Sequence, residues 1–140
     1  MSTLTIFIWI ILGFVAMSFW EAYAEGKYPW ASRSVGWKIK ITKRFTCTGY
    51  HTFLLIMITF FLTLPLIING WNTKLFGIIL SAASLGLVVE DFLWYVVNPV
   101  YSFKKFNPKD ANHYPWIGPV PVLYVIGIAI SLFSWFFLWR

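Results

Sequence analysis

Charge and cysteine are what this sequence has least of. Only 11% of its 140 residues are Asp, Glu, Lys or Arg, against about 25% in soluble domains. That shortage excludes an ordinary soluble globular domain. Cys47 stands alone, so the chain can form no internal disulfide and no cysteine-built metal centre. Acids are scarcer still: Glu21, Glu25, Glu90, Asp91 and Asp110 are the whole set. The short motifs of nucleotide and nucleophile chemistry are also missing. There is no His-Glu-x-x-His, no phosphate loop, no glycine-rich dinucleotide fingerprint, and no legible Ser-His-acid or Cys-His arrangement.

What the chain does have is apolar length. Hydrophobic residues make up 59% and aromatics 21% of the sequence, and the mean hydropathy is +0.72. These runs predict an all-α integral membrane protein, one domain over residues 1–140. Four transmembrane helices in an antiparallel bundle are expected at about residues 4–24, 46–68, 74–97 and 117–139. The first run has no basic lead and is too long for a signal-peptide core, so it is expected to stay as a span. Asn69-Gly70 marks a tight turn between the second and third spans. Pro99 biases Asn98 out of the helix and so ends the third. Pro119 and Pro121 are expected in the first turn of the fourth, where a missing N–H costs least.

Orientation comes from where the cations fall. Lys27, Arg33, Lys38, Lys40, Lys43 and Arg44 lie in the loop at 26–45, and Lys104, Lys105 and Lys109 in the loop at 101–116. Lys74 and Arg140 alone lie at the opposite ends of the spans. The positive-inside rule puts both long loops in the cytoplasm and both termini outside. The net charge of +6 is then loop charge facing anionic lipid headgroups, and no nucleic-acid partner is expected. The first loop reads either as a strand, with Trp37, Ile39 and Ile41 alternating with lysines, or as a helix face; both readings lay it in the headgroup region. Trp20, Tyr28, Trp30, Trp37, Tyr101, Tyr114 and Trp116 are expected as the inner aromatic belt, and Trp71, Trp135 and Trp139 as the outer one.

The polar residues gather at one end of these spans. Glu90 falls roughly 22 Å into a hydrocarbon core about 30 Å thick, counted from the outer end of its span. Glu21 ends the first span, His51 lies roughly 7 Å into the second, and His113 just precedes the fourth. All of them fall on the cytoplasmic side. Acids inside a span are costly and mark a site by default. Glu90 and Asp91 project about 100° apart, so one is expected to serve the site and the other a helix neighbour. Glu21 and Asp91 are expected to bring spans one and three together.

The chemistry these residues suggest is a metal-assisted or acid–base membrane enzyme acting on a lipid-like or amphipathic substrate. Glu21, Glu90 and Asp91 are the expected catalytic groups, and Trp94, Tyr95 and Asn98 the substrate contacts. Glu21, His51, Glu90, Asp91 and His113 together offer oxygen and imidazole ligands, which suit a divalent Zn, Fe or Mn ion. Haem held by His51 and His113 is the lesser cofactor reading. The alternatives are a proton- or cation-coupled transporter, working as a homo-oligomer, and a non-catalytic membrane subunit. Plainer roles also exist: Glu21 and Glu25 could meet headgroup water and Lys27, and Gly77, Gly86 and Gly127 could simply allow helices to approach.

Overall fold

The computed structural model describes residues 2–31, 36–41, 46–113 and 115–140. It is an all-α, four-helix membrane bundle with two short hairpins at one end. Helices α1 (Thr3–Glu25), α2 (Gly49–Asn69) and α3 (Thr73–Val97) are followed by α4 (Val122–Ser134). The last runs on into a π-helical turn, Trp135–Trp139. Each of the four is long and apolar enough to cross a membrane.

Local caps set the first three starts. Ser2, Thr48 and Asn72 accept from the backbone N–H three residues on, which satisfies a donor the helix itself leaves open. Between α2 and α3, Asn69 donates to the Pro65 carbonyl at 2.8 Å, Gly70 takes φ +76°, and Asn72 caps α3. The turn expected at Asn69-Gly70 is therefore present.

Two boundaries differ from expectation. Residues 46–48 form strand β2 (Thr46–Thr48), which pairs antiparallel with β1 (Lys38–Lys40). The first loop thus adopts its strand pattern here, and α2 starts only at Gly49. Likewise β3 (Trp116–Ile117) and β4 (Val120–Pro121) form a hairpin ahead of α4. Pro119 lies in the turn of that hairpin and Pro121 at the N-cap, so the fourth span begins five residues later than expected. Proline without a backbone N–H suits an edge or a turn as well as a first helical turn.

Helix α3 is the centre, packed between α1 and α4. A Cβ at Gly86 would land inside the Phe14 ring, and one at Gly127 would come within 2.6 Å of Val88 Cγ2. Both glycines let backbones approach where lipid supplies no hydrophobic drive. Hydroxyls then tie the close helices: Ser81 donates to the Ser131 carbonyl at 2.9 Å, and Ser134 to that of Gly77 at 2.8 Å. On α2, Thr59 and Thr63 donate to the carbonyls of Leu55 and Thr59 in their own helix. Helix α2 buries little, with Gly49 its one buried residue.

The second long loop is not a loose polar connection. Tyr101 and Ala111 are buried with Ala22, Trp94 and Tyr95, and Phe106 and Trp116 pack against them. Asn98 fixes it in place. Its amide donates to the Gly26 carbonyl at 2.8 Å, and its oxygen accepts from the N–H groups of Val100 and Tyr101. Tyr101 is therefore a core residue rather than an interfacial belt residue, and burial of its ring, together with Asp110, raises its phenol above the usual range. Tyr114 lies outside the described residues.

Candidate functional site

A cavity of about 380 Å³ opens at the end of the bundle that carries the long loops, and all four helices line it. Its polar end collects Glu21 and Glu25 from α1, His51 from α2, Glu90 and Asp91 from α3, and His113 from the second loop. All five of the expected metal ligands thus line one cavity. The rest of the lining is apolar, with Leu54 and Ile58 of α2 facing Leu123 and Ile130 of α4.

The acids divide their roles along α3. Glu90 turns toward α1, where its carboxyl meets that of Glu21 within hydrogen-bonding reach. Asp91, about 100° further round, accepts a hydrogen bond from the Tyr124 hydroxyl of α4. The acid on α3 that meets Glu21 is therefore Glu90, not Asp91 as the sequence suggested. Glu21 is also approached by the Tyr50 hydroxyl, 3.2 Å away. Two carboxylates in contact away from water repel, so a proton or a cation has to lie between their oxygens.

The two histidines gather about the Trp30 indole. Thr48 accepts from the His51 backbone N–H and lies 2.8 Å from Nδ1. Its proton is free to bond Nδ1, which leaves Nε2–H facing Glu25. Nε2 is 3.5 Å from Glu25 Oε1. That is an ion-pair distance but long for a hydrogen bond, and Oε1 has no hydrogen-bond partner. Trp30 stacks on the His51 ring at 3.9 Å between centroids, with His113 on the same indole at 6.3 Å. To reach there Trp30 adopts φ +60°, a left-handed conformation that a bulky side chain rarely takes. Its indole N–H donates to the Thr46 carbonyl at 2.7 Å, which helps hold it. Burial, and His51 beside it, push the His113 imidazole down to about 4.

Among the expected substrate contacts, Trp94 and Tyr95 line the cavity. Asn98 does not; its side chain is committed to joining the ends of α1 and α3. Four residues that belong to the site were not expected there: Glu25, Trp30, Tyr50 and Tyr124. The tyrosines had one signal, since a hydroxyl inside an apolar span needs a partner. Among the described residues no group of three or more His, Cys, Asp or Glu side chains is arranged to hold a metal ion.

Set beside known protein families, curated proteins and solved structures, the chain matches none.

Proposed function

We propose that this chain is an acid–base membrane enzyme whose cavity takes a lipid-like, amphipathic substrate from the bilayer. The observation that carries the reading is the meeting of Glu21 and Glu90 at the polar head of an otherwise apolar cavity. A proton held between two carboxyls in a poorly solvated site is available to a substrate, and the carboxylate left behind can take one back. Asp91, positioned by Tyr124, is the second acceptor within the same wall. A rearrangement that moves protons and consumes no co-reactant needs nothing more. Trp94 and Tyr95 flank the reacting end, and the tail lies among Leu54, Ile58, Leu123 and Ile130.

Acid–base chemistry is preferred to the metal-assisted form because the described carboxyls and imidazoles do not converge on one point. Transport is less well supported, since Thr59, Thr63, Ser81 and Ser134 spend their hydroxyls on helix carbonyls instead of lining a path. In this reading the loops are cytoplasmic, and the exposed Lys38, Lys40, Lys104, Lys105 and Lys109 face anionic headgroups.

The experiment is to incubate purified wild type and E90Q with extracted membrane lipids in heavy water, followed by mass spectrometry of all lipids. A species that changes in abundance, or gains deuterium, with wild type but not with E90Q is the expected result. Identical lipid profiles with both proteins and with no protein would overturn the proposal.

A further inference from the structure

The polar end of the cavity holds groups whose hydrogen bonds the protein leaves unmade. Glu90 is 7% exposed, and no protein N–H or O–H donates to its Oε1. Glu25 Oε1 is likewise buried and accepts no hydrogen bond, His51 Nε2 standing 3.5 Å away. Trp94 is 4% exposed, and its indole N–H lacks an acceptor. All three line the one cavity. Buried polar atoms are satisfied in all but a few cases, because an unmade bond leaves the loss of water uncompensated. Two acceptors and one donor facing a common space describe a complementary head group: one that gives N–H bonds and also carries an oxygen.

Charge narrows the class. Glu21, Glu25, Glu90 and Asp91 line the cavity, and no lysine or arginine is among its described lining. A phosphate or carboxylate head would face four carboxyl groups there with no lysine or arginine in the described lining to balance them, whereas a cation is drawn in. Tyr95 and Tyr124 add aromatic rings to the lining, and such rings attract ammonium groups. Between a quaternary and a protonated amine the orphaned oxygens decide, since only the latter has N–H bonds to donate.

Size narrows the tail. The lining along α3 runs from Trp94 to Ser84, roughly 15 Å at the helical rise. A volume of about 380 Å³ is near the lower end of ligand pockets, about 300–1,000 Å³. One alkyl chain fits; a two-chain phospholipid does not. Since α2 buries little beyond Gly49, the tail can enter sideways past it.

We infer that the cavity binds a single-chain amphiphile whose head is a protonated amine with a neighbouring hydroxyl. The ammonium lies between Glu25 and Glu90, the hydroxyl oxygen accepts from Trp94, and the chain lies between α2 and α4. This rests on the reading of the cavity as the substrate site, and names what that substrate is.

The test is equilibrium binding of radiolabelled N-dodecylethanolamine to the protein in zwitterionic nanodiscs, with empty nanodiscs as the background. Saturable binding of one molecule per chain is expected. Dodecylamine should compete, while dodecyltrimethylammonium and dodecanol should each do so at least tenfold less well, and dodecanoate not at all. E90Q and E25Q should each weaken binding about tenfold. Both are given because either alone could fail to fold. W94F should weaken the amino alcohol several-fold and leave dodecylamine unchanged. Competition by dodecanol equal to that of dodecylamine, or unchanged binding in both E25Q and E90Q, would overturn the amine assignment and leave the cavity standing as a lipid site. No saturable binding of any of these chains would overturn the cavity reading as well.

Discussion

Glu21 of α1 and Glu90 of α3 meet carboxyl to carboxyl, with the Tyr50 hydroxyl 3.2 Å from the Glu21 side. Nothing in the packing of two helices requires this. Gly86, four residues before Glu90, already brings the helices together over Phe14, and the acids add repulsion to a contact that glycine secures.

The pair makes a first prediction. Glu90→Gln removes one charge, and its amide N–H can donate to the Glu21 oxygens. Thermal unfolding in detergent should show E90Q, and equally E21Q, as stable as wild type or more so, by on the order of 1 kcal/mol. If a proton lies between the carboxyls, a chelator leaves wild type unmoved. Should it lower wild type but not E90Q, a metal ion occupies the pair instead. Marked destabilisation of both variants would mean that the carboxyl contact holds the fold.

Gly86 gives the second. Gly86→Ala forces the Phe14 ring aside within a packed interface, a change that costs about 1–3 kcal/mol. The loss should be suppressed when Phe14→Ala is added, because the added methyl then enters the space the ring leaves. A double-mutant cycle in thermal unfolding measures this directly. Simple additivity of the two losses would show that the contact does not set the helix distance.

How far the sequence reached is clear from these residues. Depth alone grouped Glu21, His51, Glu90, Asp91 and His113, because helical rise fixes distance along the membrane normal. Rotation was not legible. These spans are apolar on every face, so no stripe distinguishes core from lipid, and the sequence reading paired Glu21 with Asp91 where the fold pairs it with Glu90. The glycines were legible as contact points, since small residues let helices approach closely in lipid. The packed second loop was not, because Tyr101 and Phe106 near a membrane boundary look the same whether they face headgroups or a core. Trp30 was unreadable for a further reason: its place depends on a left-handed backbone that sequence gives a tryptophan no reason to adopt.

His113 makes the third prediction. Its imidazole is pushed down to about 4 from an ordinary value of 6.5, so the folded protein resists a proton that the unfolded chain accepts. The contribution to stability is therefore constant above pH 6.5, is lost as pH falls toward 4, and levels off below that. Its upper bound is about 3 kcal/mol. Carboxyls titrate in part of the same range, so the measurement is a difference: thermal unfolding of wild type and H113Q from pH 7.5 to 4. The gap should move in favour of H113Q on acidification. A constant gap across that range would show that His113 is charged as readily in the fold as outside it.

Asn98 makes the last prediction, and it separates a clamp from a substrate contact. Its amide reaches the Gly26 carbonyl and, at 3.4 Å, that of Ala22, while its oxygen takes the Val100 and Tyr101 N–H groups. Asn98→Ala strands these backbone groups at the junction of α1, α3 and the packed loop, at a cost of about 1–3 kcal/mol for each that stays buried. Asn98→Asp keeps the acceptor and loses the donor, so it should fall between Ala and wild type. Because Tyr101 rests on this junction and touches Trp94 at 5.2 Å between ring centroids, loosening it should also raise hydrogen exchange across 98–113. The amphiphile's affinity, measured below the unfolding temperature, should change less than for E90Q. A variant as stable as wild type that has nonetheless lost binding would return Asn98 to the substrate.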